Sequence, residues 1–129
     1  ATGDSEEMQA LRESEIGVIT TWISNAKNYN REMDGPLVLA GDFNINQGNS
    51  VFDDFKNGSN GFYFAREEAV VTDTGRTYNN WGVANGQLTI DFQFYKGFSS
   101  VQSYSVDRDP YADVTYISDH WPLSVVYEF

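Results

Sequence analysis

Residues 88–95, Leu-Thr-Ile-Asp-Phe-Gln-Phe-Tyr, set the first limit on the fold. A period of two puts Ile90, Phe92 and Phe94 on one face of a strand and Asp91, Gln93 and Tyr95 on the other. A chain with this segment needs a sheet and an apolar layer to cover the Phe face. Residues 4–27 can supply it. Met8, Leu11, Ile16, Ile19, Trp22, Ile23 and Ala26 recur at three- and four-residue steps, with Asp4 or Ser5 as the cap and Glu6 and Glu7 in the first turn. The expectation is a long helix with one face buried against the sheet, and no chemistry on that stripe.

Other segments fit the same plan. Pro36–Ala40 is apolar on consecutive residues and reads as a strand covered on both faces. Val51–Lys56 reads as one or two helical turns, closed by Asn57-Gly58. In residues 61–86, "AREEAVVTDTG" suggests a short helix running into a strand, and "RTYNNWGVANG" a loop. Phe98–Val106 and Trp121–Tyr127 complete the strands. No repeat, low-complexity tract or linker interrupts the chain, so one mixed helix-and-strand unit is expected.

Composition narrows the chemistry. The 129 residues suffice for one domain, and 16% aromatic content excludes a disordered tail. With 19 acidic against 8 basic residues, the formal charge of −11 repels phosphate backbones unless a divalent cation intervenes. There is no cysteine, which excludes disulfides, zinc-thiolate sites and thiol nucleophiles. A single histidine, His120, excludes a site built on several imidazoles. No apolar run approaches bilayer length, and the first residues do not read as a signal peptide. Localisation is barely readable; an extracytoplasmic or secreted setting is the expectation.

The stretch "LVLAGDFNINQGN" carries the densest polar pattern. Asp42, Asn44 and Asn46 match positions one, three and five of a calcium-binding loop, with Asp53 at position twelve. Position six, however, is Gln47 rather than glycine, and the lead-in is a strand where such a loop follows a helix. Two readings remain: a polar turn, or the floor of a site. Asp42 and Asn44 sit just past one strand, Asp91 inside a second, and Asp119 and His120 just before a third. Converging strand ends would give a carboxylate to accept a proton from water, an amide to orient it, and a histidine clamped by a second carboxylate to stabilise an anion. The blander alternatives are a capped turn, a polar strand face and a surface histidine. Ser118-Asp119-His120 cannot be a hydrolase triad, because triad members converge from separate segments and no Gly-x-Ser-x-Gly elbow is present. No carboxylate pair is singled out for glycoside hydrolysis.

Taken in order, "LVLAGDFN", "TIDFQF" and "SDHWPL" resemble the endonuclease/exonuclease/phosphatase superfamily, the deoxyribonuclease I-like fold. "RTYNNWG" also resembles its substrate-side loop. The resemblance implies an α/β (α+β) architecture: half of a four-layer α/β/β/α sandwich, with a mixed, mostly antiparallel sheet and a long N-terminal helix on one face. It implies hydrolysis of a phosphate ester with Mg2+ or Mn2+, the substrate being a small molecule, a lipid headgroup or a nucleic acid. Asp42 would align and deprotonate the attacking water, and Asn44 would bond the water or a phosphate oxygen. His120, oriented by Asp91, would stabilise the transition state, and Asp119 would contribute to the metal site. Asn44, Tyr78, Asn80 and Trp81 would meet the substrate.

The family's front half carries an early asparagine, the main metal-binding glutamate and a further histidine, and none of those motifs is here. The expectation is therefore that residues 1–129 are the C-terminal portion of one such domain, inactive alone. The N-terminal half or a second copy would cover a bare sheet face lined by Phe and Ile. The rival reading is a non-catalytic, acidic, aromatic-rich glycan-binding β-sandwich using Tyr78, Trp81, Tyr111 and Trp121.

Overall fold

The computed structural model describes residues 5–25, 35–86 and 88–129. The alternating segment becomes β4 (Asp91–Lys96), flanked by β1 (Leu37–Asp42) on one side and the short β2 (Tyr63–Phe64) on the other, both antiparallel to it. The strand begins later than its pattern does. The backbone of Leu88 bonds to Thr77 and Tyr78 instead, so a loop takes the place of a neighbouring strand there. A second sheet contains β3 (Val71–Thr72), β5 (Ser100–Val106) and β6 (Leu123–Glu128), with β3 parallel to β5 and β6 antiparallel to it.

Helix α1 (Glu6–Asn25) covers the Phe face of the first sheet. Ser5 is its cap, accepting a hydrogen bond on Oγ from the Met8 N–H at 3.2 Å; Asp4, Ala26 and Lys27 lie outside the described residues. The buried stripe differs from the expected one. Met8, Arg12, Ile16, Ile19 and Ile23 face inward, while Leu11 and Trp22 are about half exposed. At 3.6 residues per turn, Leu11 and Trp22 sit about 80 to 100° round the helix from the centre of that stripe. Beneath α1, a 3-10 turn over Ser50–Phe55 adds Phe52 and Phe55 to Phe62, Phe64, Phe92 and Phe94. Their rings meet largely edge to face; Phe52 and Phe92, for example, lie 5.3 Å apart at 74°.

The opposite face of β4 looks toward the second sheet. Tyr95 packs with Val101, Tyr104, Leu123, Val125 and Tyr127, and the Tyr127 hydroxyl donates to Gln93 at 2.8 Å. Between them the chain makes the short helix α2 (Ala65–Glu68), then β3, as "AREEAVVTDTG" suggested. The layers thus run helix, sheet, sheet, an α+β arrangement matching half of a four-layer sandwich.

Two expectations about coverage are corrected. The first is that β1 is not buried on both faces. Leu37 and Leu39 pack toward α1, whereas Val38 and Ala40 are exposed, because β1 is the edge strand and α1 lies on one side only. The second follows from it: the bare patch is lined by Val38 and Ala40, not by Phe and Ile. The pleat turns Phe92 and Phe94 inward beneath α1.

Candidate functional site

Asp42 is the last residue of β1 and Asp91 the first of β4, and the antiparallel register sets them directly opposite each other. Like charges so placed repel. The His120 imidazole lies between them. Its Nδ1–H donates to Asp91 Oδ2 at 2.8 Å, and its Nε2 lies 3.6 Å from Asp42 Oδ2. One ligand atom from each of the three residues lies within 4.8 Å of the others. Burial pulls the His120 pKa down, but the hydrogen bond to Asp91 and the charges of Asp91, Asp42 and Asp119 outweigh it, and the net shift is upward.

Each member is held by its own backbone setting. Asp42 Oδ1 accepts from the Asn44 N–H at 2.9 Å, and the chain turns with Asn44 at a φ of 54°. This Asx turn, after a strand and without position-six glycine, is not a calcium loop. Asp91 is braced from the second sheet, where the Tyr104 hydroxyl donates to its carbonyl at 3.1 Å. His120 pairs by an isolated β-bridge with Tyr78, whose ring centroid lies 5.0 Å from the imidazole. Ser118 Oγ accepts from the His120 N–H at 3.2 Å.

The remaining expected residues take different places. Asp119 acts here through its carbonyl, which accepts from the N–H groups of Asn79 and Asn80 at 2.7 and 3.3 Å. Among the described residues its carboxylate receives the Ser118 hydroxyl at 3.4 Å and is not among the clustered ligand atoms of Asp42, Asp91 and His120. Asn44 is exposed beside Asp42. Asn80 and Trp81 both adopt positive φ, 46° and 56°, and Trp81 is 59% exposed. Two consecutive non-glycine residues in the left-handed region are costly unless the surroundings enforce them. Of the four proposed stacking aromatics, Tyr78 packs on His120, and Trp121 lies under the Arg76 and Arg108 guanidiniums at 5.8 and 5.7 Å.

Sequence reasoning missed Thr77 and Asn79, both 0% exposed. Burial alternates along 77–80, with Thr77 and Asn79 inward and Tyr78 and Asn80 partly outward. A hydrophobicity pattern cannot register this, since the buried members are polar. The loop leading into Thr77 is pinned as well. Arg108 donates to Asp73 in a bidentate pair at 2.7 and 2.8 Å, and this hydrogen bonding draws the Asp73 pKa down to about 2. Arg66, 4% exposed, and Thr89 both donate to the Gly75 carbonyl. A cleft of about 430 Å³ between α1 and β1, lined by Leu11, Ile16, Leu39 and Ala40, opens beside Asp42 and Asn44.

The profile of the Endonuclease/Exonuclease/phosphatase family matches residues 20–120. No curated protein gives a significant match to the chain. Among solved structures, an endonuclease/exonuclease/phosphatase from Bacteroides vulgatus is 21% identical with a TM-score of 0.73, over 93% of this chain and 44% of that one. A mannosyl-6-phosphatase of Bacteroides thetaiotaomicron is 24% identical with a TM-score of 0.70, over 92% and 46%. Truncated TDP2 of Caenorhabditis elegans is 15% identical with a TM-score of 0.65, over 98% and 51%. These likenesses establish the fold, and the chain spans about half the length of each structure.

Proposed function

The chain belongs to the endonuclease/exonuclease/phosphatase family, and from that premise we propose that it is the C-terminal portion of a phosphoesterase domain hydrolysing phosphate esters with a divalent cation. The observation that carries this reading is the Asp42–His120–Asp91 cluster, assembled from three separate segments with ligand atoms within 4.8 Å. In the proposed reaction the Asp42 carboxylate takes the proton of a water as its oxygen attacks phosphorus. The bond from phosphorus to the leaving oxygen breaks on the opposite side, and the departing alkoxide takes a proton from solvent to leave as the alcohol. His120, oriented by Asp91, offers Nε2–H to a phosphoryl oxygen whose negative charge grows in the transition state. Asn44 orients the water or holds a phosphate oxygen, and Tyr78, Asn80 and Trp81 line the substrate side.

The donor set fits a hard divalent cation such as Mg2+ or Mn2+, since it is oxygen-rich and bears uncompensated negative charge. Asp119, directly or through water, would help to hold the ion, while Asp42 is kept for the proton of the attacking water. When bound, such an ion polarises a phosphoryl oxygen and offsets its charge.

Several observations favour a small or lipid-borne phosphate ester over nucleic acid. The chain carries a charge of −11. Two of its arginines are also committed to the scaffold, Arg66 being buried and Arg108 bound to Asp73, and the exposed Arg76 lies over Trp121. None offers the basic track that a nucleic-acid backbone needs. The mannosyl-6-phosphatase among the similar structures fits a small substrate.

The likeness to about half of each solved structure supports a partner region, and we take it to be the front half of the same domain, packed on the uncovered side of β1 and the cleft beside Asp42. The test is a chromogenic phosphodiester assay, with and without magnesium, on this chain and on a longer chain that supplies a front half. Turnover only in the longer chain, lost on chelation and in His120→Ala, is the expected result. Equal activity in both would overturn the half-domain reading. No turnover in either, with intact folding, would overturn the hydrolase reading.

A further inference from the structure

Thr77 lies in the RTYNNWG string, whose resemblance gives this residue no role of its own. Its side chain is fully buried, and its hydroxyl oxygen accepts two backbone hydrogen bonds, from Ile90 N–H at 3.0 Å and from Asp91 N–H at 3.1 Å. A hydroxyl has two acceptor lone pairs, and both are used here. The carbonyl of the same residue accepts from the Trp121 N–H at 2.8 Å. One residue therefore grips the amide of Asp91 with its side chain, and with its backbone the amide next to His120. Asn79, two residues on and equally buried, holds the same second segment, donating from its side chain to the Ser118 carbonyl at 3.0 Å and from its N–H to the Asp119 carbonyl.

We propose that Thr77 is a positioning residue, whose hydroxyl fixes the separation of the Asp91 carboxylate from the His120 imidazole. The assignment rests on the functional reading above for its purpose, but not for its test. Asp91 and His120 are 29 residues apart and do not pair in a ladder, so nothing in β4 itself fixes where His120 lies. A displacement of about 1 Å at the start of β4 would take the 2.8 Å contact beyond hydrogen-bond range. A bonding partner that reads both segments at once removes that freedom. Threonine suits the task because it combines a small apolar methyl for a buried site with a double acceptor for the N–H groups of Ile90 and Asp91.

The experiment is proton NMR of the 129-residue chain at one fixed pH and low temperature, observing the low-field Nδ1–H resonance of an imidazole that donates to a carboxylate. His120 is its only histidine, so the signal has one source. Thr77→Val is expected to lose this resonance or move it upfield, and Thr77→Ser to retain it. Thr72→Val, which deletes a different hydroxyl that donates to the Arg66 carbonyl at 2.7 Å, is expected to leave it in place. A folded Thr77→Val chain with the wild-type resonance would overturn the proposal, as would an equal loss in Thr72→Val. Should the valine variant not fold, Thr77→Ala carries the same criterion. Amide exchange of the unaltered chain decides independently: Ile90 and Asp91 must both be protected, and exchange of either at the rate of an open loop would overturn it. Because no turnover is measured here, a longer chain without turnover would sink the functional reading and leave this result intact.

Discussion

At His120 two carboxylates face one imidazole, and their unequal distances divide the work. The 2.8 Å bond to Asp91 fixes the ring, while Nε2, 3.6 Å from Asp42, lies beyond hydrogen-bond distance of that carboxylate. In a complete domain, His120→Asn is expected to lower kcat by about 10²- to 10⁴-fold, with a smaller change in KM. Steady-state kinetics check this; an equal change in KM alone would assign the ring to binding. Asp73 supports a pH prediction. Its pKa is lowered by Arg108, so the bond's stabilisation is complete above the ordinary carboxylate value and is lost as pH falls through about 2. Denaturant titrations of the wild type and Asp73→Asn are expected to differ by about 1 to 2 kcal/mol at pH 5, and the gap should close toward pH 2. Asp42, Asn44, Asp91 and His120 were legible as a set because each sits in a short, chemically distinctive string. Thr77 was not, since a threonine in a loop gives no sign in the sequence of which amides it will meet.

At the level of elements, α1 and the Phe layer beneath it make up the larger core. Phe52 is fully buried with ring contacts to Phe43, Phe64, Phe92 and Phe94, so Phe52→Ala is expected to cost about 3 to 5 kcal/mol in urea unfolding. Ile16→Ala, on the inward stripe of the helix, should cost about 2 to 4 kcal/mol, whereas Leu11→Ala, at 52% exposure, should cost under about 1. The contrast tests the helix's rotation directly, because the spacing of apolar residues alone ranked the two alike. The helix, the Asp91 strand and the 3-10 turn were each readable from periodicity or turn residues. The face of α1 was not, because Arg12 lies buried where a hydrophobic count expects an exposed charge.

For the molecule as a whole, the uncovered side of β1 governs how the chain associates. Val38, Ala40 and the cleft beside Asp42 expose apolar surface at an edge strand, a feature that favours association. Light scattering of the isolated chain is expected to show concentration-dependent association with binding of an apolar dye, both suppressed when a front half is supplied; a monomer that binds no dye would contradict this. Among the described residues no helix is long and apolar enough to cross a membrane. By itself the sequence determined the types of the main elements, the α+β class and the order of the three polar strings, because periodicity and short motifs are local properties. Only the tertiary structure decided that Asp42 and Asp91 stand opposite each other, that His120 bridges them while the Asp119 carboxylate does not, and that β1 keeps one side uncovered. Those outcomes depend on strand register and on contacts between residues distant in the chain, which local pattern does not encode.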